Sequence, residues 1–350
     1  MNRLAPISGQ FGSFDPVEIT YLLHDVGDTV PSLSTEDRES RMKQGAHYAE
    51  VLPIELPPSQ RYLQAVDTVT QCNAEKVATY TRNLAAQIAR GRRENPVLVS
   101  IARGGCPAGI LVRRALTMNW GRDVPHYAIS VIKGHGVDPA ALFWLHQRYD
   151  AADLIFIDGW TGKGGIANEV RETGGSLYVL ADPMGVADHR GSHDDVLVPS
   201  ACLNALTHGM ISRTVLATNR GQQFDGARAY PRSRDDRSAR FLDAVTAYLE
   251  KPDGADSLPE LSSANRRNER QAFIDVQASR YARNDTSRIR AGVGEVMRVM
   301  LRRTPSAVLL RDVDSPNNQP LLILAEERSL DVTEDRSSPW EAVAVLATAL

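Results

Sequence analysis

The stretch LIFIDGWTGKGG, residues 154–165, decides how this chain is read. Four consecutive apolar residues, Leu154 to Ile157, run directly into an acid and a glycine-rich loop. An apolar run that short, bounded by glycine and without alternation, reads as a strand buried on both faces. Thr161-Gly162-Lys163-Gly164-Gly165 then stands at a helix start, where backbone N–H groups and the helix dipole can meet a phosphate. Neither the G-x-x-x-x-G-K-[ST] loop nor a GxGxxG fingerprint is present.

The same theme recurs on either side. Val97 to Ile101 precedes Arg103-Gly104-Gly105, His126 to Ile132 precedes Gly134-His135-Gly136, and Leu177 to Ala181 precedes Asp182-Pro183-Met184-Gly185. Strands alternating with helices predict an α/β fold with a parallel sheet. All four loops then fall at the carboxyl edge, where such sheets bind ligands. Upstream, residues 1–58 are broken by Gly12, Pro16, Pro31 and Pro53 to Pro58 and are expected to wrap or hood the core. A helix follows from an N-cap at Ser59, with Leu63, Val66, Val69, Cys72, Val77, Leu84 and Ile88 near helical spacing. Downstream, residues 219–238 read as a long loop before a helix at Phe241 to Leu249.

The Pro/Gly/Ser-rich stretch 251–265 reads as a linker, dividing a core of residues 1–250 from a small α/β domain of residues 266–350. Within that tail, the pattern predicts a helix over 294–303, a strand over 307–311, a helix over 321–328 and a further helix over 337–349.

At 350 residues the length suits about two domains. No apolar run reaches the length of a membrane span. The first ten residues lack the pattern of a secretory signal, so a cytoplasmic chain without membrane contact is expected. Net charge is −3, yet residues 262–303 carry ten Arg against four acids, while residues 304–350 carry three Arg against eight. Three cysteines, Cys72, Cys106 and Cys202, show no CxxC or metal spacing. Cys72 and Cys202 read as core. Cys106 stands at a helix N-terminus beside Arg103, an environment that lowers a thiol pKa, so a cysteine protease with Cys106 as nucleophile is one reading. No papain-like or caspase-like signature surrounds it. His24, His126, His146, His189, His193 and His208 lack metal spacing and read as structural.

The loop at 154–165 resembles the phosphoribosyl-pyrophosphate loop of type I phosphoribosyltransferases, and SIARGGCPAG (100–109) resembles their pyrophosphate loop. In longer view, GSFDPVEITYLL, GAHYAEVLPIELPPSQRYL, VLVSIARGGCPAGILVRR, VPHYAISVIKGHGVD and FIDGWTGKGGI are similar to the StiP family. These are bacterial proteins of tellurite-resistance and stress-response neighbourhoods, phosphoribosyltransferase-like in core and often labelled cysteine proteases. IRAGVGEVMRVMLRRTPSAVLLRDVDSPNNQPLLILAEERSLDV is similar to the Pelota/L7Ae-like RNA-binding domain. Three departures stand out: a single acid in the 154–165 loop, His135 and Lys133 in place of arginines, and Cys106 in place of threonine.

The resemblance implies a magnesium-dependent enzyme that transfers a phosphoribosyl group to an unknown base or amine. Asp158, Arg103 and Lys133 would be catalytic. Phosphoribosyl pyrophosphate would lie on Arg103, Gly104, Gly105, Cys106, Asp158, Gly159, Thr161, Gly162, Lys163, Gly164 and Gly165, with Mg2+ held by Asp158 through water. His47, Tyr48, Glu50 and Glu55 would read the acceptor. In the tail, Gly292, Gly294, Glu295, Arg298, Arg302 and Arg303 would bind structured RNA. The alternatives are the cysteine protease above and a non-catalytic nucleotide sensor with an RNA-binding tail.

Overall fold

The computed structural model describes residues 4–91, 95–202, 204–250 and 263–347. Most of the expected linker, residues 251–262, lies outside them. Six strands form one sheet: β1 (Thr20–Tyr21), β2 (Val97–Ile101), β3 (His126–Ile129), β4 (Leu154–Trp160), β5 (Leu177–Ala181) and β6 (His189–Ser192), in the order β1-β3-β2-β4-β5-β6. Every neighbouring pair is parallel. All strand carboxyl ends therefore share one edge, as the repeated strand–glycine–helix theme requires. The expected strand over 126–132 is interrupted at Ser130, and Val131–Ile132 instead pairs with Gly136–Val137 as a small hairpin.

Alternate side chains of the strands fill two cores. Leu98, Ile155, Ile157, Tyr178 and Leu180 pack on one face with α2 (Gln60–Arg90), α3 (Gly105–Trp120) and α6 (Ser238–Thr246). Val97, Val99, Phe156, Leu177 and Val179 pack on the other with α4 (Pro139–His146) and α5 (Gly165–Arg171). Ser59 caps α2 by accepting from the Tyr62 amide at 3.1 Å, satisfying one of the orphan donors of the first turn. Cys72, expected in the core, is exposed on that helix, whereas Cys202 is buried. The N-terminal wrap does more than cover the core: β1 forms a sheet edge, and helix α1 (Thr35–Lys43) has no buried residue.

The tail carries its own four-stranded sheet. β7 (Ile289–Ala291) and β8 (Pro305–Leu310) flank β10 (Ala342–Leu346) antiparallel, and β9 (Val332–Glu334) lies parallel to β8. Helices α7 (Ser263–Tyr281), α8 (Val293–Arg302) and α9 (Gln319–Glu327) pack with it. Residues 342–346 are thus a strand where a helix is predicted. AVAVL is buried on both faces between two partners, so alternation disappears and the pattern no longer separates strand from helix. The tail is not an isolated unit. Val293, Val296, Met297 and Met300 of α8, with Leu321 and Leu324 of α9, share one apolar cluster with Tyr62, Leu63, Val66 and Val69 of α2.

Candidate functional site at the carboxyl edge of the sheet

Beyond β2, Arg103 turns towards the N-terminal wrap and donates to the Ile211 carbonyl at 3.0 Å and to Glu55 at 3.4 Å. Gly104 and Gly105 follow. A Cβ on Gly105 would stand 2.3 Å from the Ile157 carbonyl oxygen of β4, whereas one on Gly104 would meet only side chains, the Asp158 carboxylate at 3.3 Å and the Trp160 ring at 3.9 Å. The Gly105 requirement is therefore close approach of α3 to β4. Cys106 opens α3, and its amide donates to the Arg103 carbonyl at 3.1 Å. Its thiol is fully buried. Burial first and the neighbouring Asp158 carboxylate second push the Cys106 thiol well above its ordinary range, with the Tyr21 hydroxyl opposing. The expectation of a lowered thiol pKa fails here because desolvation outweighs the helix dipole.

Asp158, at the carboxyl end of β4, accepts from the Gly159 amide at 2.8 Å. Burial raises it to about 7, against the opposing Gly159 N–H and Arg298 charge, while Glu295 pushes it up. Glu295 belongs to the tail, and its carboxylate occupies the loop after β4. A Cβ on Gly162 would meet Glu295 Cδ at 2.7 Å, and one on Gly294 would meet the Trp160 ring at 3.0 Å. The other groups of the expected phosphate cradle are also committed. The Thr161 hydroxyl donates to Asp182 at 2.6 Å. Lys163 Nζ donates to the Thr286 carbonyl of the tail, and burial, with Arg290 nearby, lowers it to about 8. Gly164 has φ +91 at the start of α5, with Val186 close by. Asp195 ties the same interface from the core side, accepting from the Val293 amide at 2.9 Å and the Glu341 amide at 2.8 Å.

The expected acceptor residues divide. His47 caps the short turn Tyr48–Glu50, and Glu50 returns a bond to the His47 amide at 3.2 Å, a reciprocal capping box. The Tyr48 hydroxyl accepts from the Lys133 amide at 3.1 Å, and the Lys133 side chain lies over Gly165. Glu55 alone of the four meets Arg103. Among the described residues no group of three or more His, Cys, Asp or Glu could hold a metal ion. His126, buried, bridges Ser100 Oγ at 2.7 Å and the Glu18 carbonyl at 2.8 Å and is pulled down to about 4 by burial. An open depression of about 860 Å³ lies at the opposite edge, between Asn95, Gly121 to Pro125 and His146 to Asp150. It is remote from these loops.

In the tail, Gly292, Gly294 and Glu295 face the core domain, with Glu295 buried. Arg298, Arg302 and Arg303 remain exposed, and Arg298 pairs with Glu295 at 3.4 Å. The residues expected to bind RNA thus split between an internal contact and an open face. Sequence reasoning missed Trp160, Asp182 and Asp195. The signals were a tryptophan inside a glycine loop, an acid directly after β5 and a second acid three residues after β6.

A family model described as "Tellurite-like stress resistance cysteine protease StiP" matches residues 12–246. A second, described as "PELOTA RNA binding domain", matches residues 269–348. The chain is also similar to "Cysteine protease StiP" of Acinetobacter baylyi, 29% identical over 364 residues, covering 97% of this chain and 94% of that one. These matches overturn the expectation of a phosphoribosyltransferase that uses phosphoribosyl pyrophosphate, since the family and the relative are named for cysteine proteolysis. The site agrees with that correction. Where a phosphate was expected between Thr161 and Gly165, a carboxylate stands, and like charges there exclude one another.

Proposed function

The chain belongs to the StiP family, and from that premise we propose that it is a cysteine-dependent hydrolase of acyl bonds, peptide bonds first, with Cys106 as nucleophile and an RNA-contacting tail. The observation that carries this reading is the position of Cys106. Of three cysteines, it alone stands at the carboxyl edge of the sheet, at the head of a 16-residue helix and beside an acid raised to about 7. A carboxyl group that titrates near neutral pH is suited to general acid–base work. Asp158 would take the thiol proton as sulfur bonds to the acyl carbon. It would return that proton to the leaving amine as the C–N bond breaks. Water, deprotonated by Asp158, would then split the thioester and restore the thiol. The amino terminus of α3 would favour the negative charge that develops.

In the structure the thiol is shut in, and α8 lies over Trp160 and the Asp158 edge. The reading therefore describes a closed resting state that opens at the interface between domains. A fluorescent casein assay, paired with covalent capture by a peptide-based electrophile that reacts with the catalytic thiol, tests it. Wild type and Cys72→Ala should turn over and take the label, and Cys106→Ala should do neither. Turnover that survives Cys106→Ala would overturn the assignment.

A second reading, binding without covalent chemistry, is favoured by one specific observation. The groups acting on the Cys106 thiol are a carboxylate and a phenol, and the His126 imidazole is already engaged by Ser100 and Glu18. Absence of turnover and of labelling in protein that still binds RNA would favour it.

A further inference from the structure

Arginines from both domains converge on the cleft between the wrap and the end of α8. Arg103 comes from the loop after β2, Arg38 from α1, Arg213 from the segment after Met210, and Arg302 from the last turn of α8. The charges of Arg103, Arg213 and Arg298 all act on Arg302, which burial and this repulsion lower to about 9. The Arg302 side chain is solvent-exposed at this junction, so an incoming anion can reach it. The Arg213 guanidinium donates to the Tyr48 and Val51 carbonyls, while its Nε has no partner; Arg38 Nε is likewise buried and unpartnered. Glu55 is the carboxylate set among them, and it engages Arg103.

Four guanidiniums around one carboxylate are mutually destabilising unless an anion joins them. Arginine forks match phosphate oxygens in pairs. The exposed Arg298 and Arg303 extend the same basic surface along the tail.

From this convergence we infer that the core domain supplies half of the RNA site: the phosphates of a strand held by the tail run into the cleft and are clamped by Arg38, Arg103 and Arg213 opposite Arg302. The inference rests on the proposal that the tail binds RNA, and it is independent of chemistry at Cys106. Its occupant is an RNA backbone because the matched tail domain is of an RNA-binding kind and its open arginines are continuous with the cleft.

The test is fluorescence anisotropy of the full-length chain with a labelled stem–loop RNA carrying a single-stranded flank, titrated across a salt series. Arg38→Glu is the principal variant, since α1 contributes no residue of the buried class, and an unchanged melting temperature checks that its fold is kept. Arg213→Lys is the second: it keeps the charge but loses the fork. Arg38→Glu should weaken binding about tenfold or more at low salt and make the log–log salt slope shallower by about one, whereas Arg213→Lys, which keeps its charge, should weaken binding and leave the slope nearly unchanged. Arg302→Ala should act like Arg38→Glu from the tail side. Binding by wild type with unchanged affinity and slope in Arg38→Glu and Arg213→Lys would overturn the shared site while leaving RNA binding by the tail intact. Failure of wild type to bind RNA at low salt would overturn both.

Discussion

Asp158 shows how much one residue's environment can differ from what its neighbours in sequence suggest. As read from the sequence, it ends a strand before a glycine loop and should be solvated and ionised. In the fold it is half-buried, with Glu295 of the tail opposite, and titrates near 7. A raised carboxyl pKa means that the folded chain binds a proton that the unfolded chain has already released. The contribution of this group to stability is therefore full below about 4 and lost as pH rises towards about 7. Asp158→Asn should then be nearly neutral at pH 4, slightly stabilising at pH 5 and stabilising at pH 8 by about 2 kcal/mol once solvent screening of a half-buried group is allowed for. Paired melting curves of variant and wild type check this. Taking the difference cancels the opposing trend of His126 and His208, both lowered to about 4 by burial, whose contributions fall as pH drops below about 6.5. A variant gain that does not grow from pH 5 to pH 8 would contradict the raised value.

At the scale of elements, the parallel sheet was legible because its signal is local. Val97 to Ile101, Leu154 to Ile157 and Leu177 to Ala181 each join an apolar run to a glycine turn, and each forms a strand where expected. β1 was not legible. Two residues, Thr20 and Tyr21, pair with Tyr127 and Ala128 more than a hundred positions away, and nothing within the wrap marks them. The helix predicted over 337–349 failed for the related reason that β10 is covered on both faces. The glycine loops were found but their purpose is not legible, because a glycine required for packing and one required for ligand approach look the same in sequence. The two cases separate experimentally. Gly105→Ala drives a methyl into the backbone of β4 and should cost about 1–3 kcal/mol, whereas Gly104→Ala, with φ −62 and only side chains near, should be close to neutral. Chemical denaturation of the two variants decides it. Equal, small losses would return both glycines to a ligand role.

On the scale of the whole molecule, the decisive contact is one that no single-domain reading could supply. Glu295 and Gly294 close on Gly162 and Trp160, Lys163 reaches the Thr286 carbonyl, and Asp195 caps the head of α8. Beneath these polar ties lies the apolar cluster that joins α2 to α8 and α9, so the chain should melt as one cooperative unit and not as two. Cys106 packs in the cluster of the core domain, and the proposed function requires that opening of the tail interface expose it. Asp195 is the point at which to loosen it: Asp195→Ala removes two hydrogen bonds across the interface while leaving the shared apolar cluster untouched. Two such bonds are worth about 1–3 kcal/mol together, which raises the open population by about tenfold or more. Native-state labelling with a small alkylating reagent, followed by peptide mass analysis, reads the outcome. In wild type the exposed Cys72 should label at once and Cys106 slowly. In Asp195→Ala, Cys106 should label about tenfold faster, with Cys72 unchanged; Cys202, in the apolar cluster that α8 shares with α2, should quicken as well where the opening parts that cluster. If Cys106 keeps its wild-type rate while the interface is demonstrably weakened, the thiol is shielded by the core domain alone, and opening of the tail cannot be what exposes it.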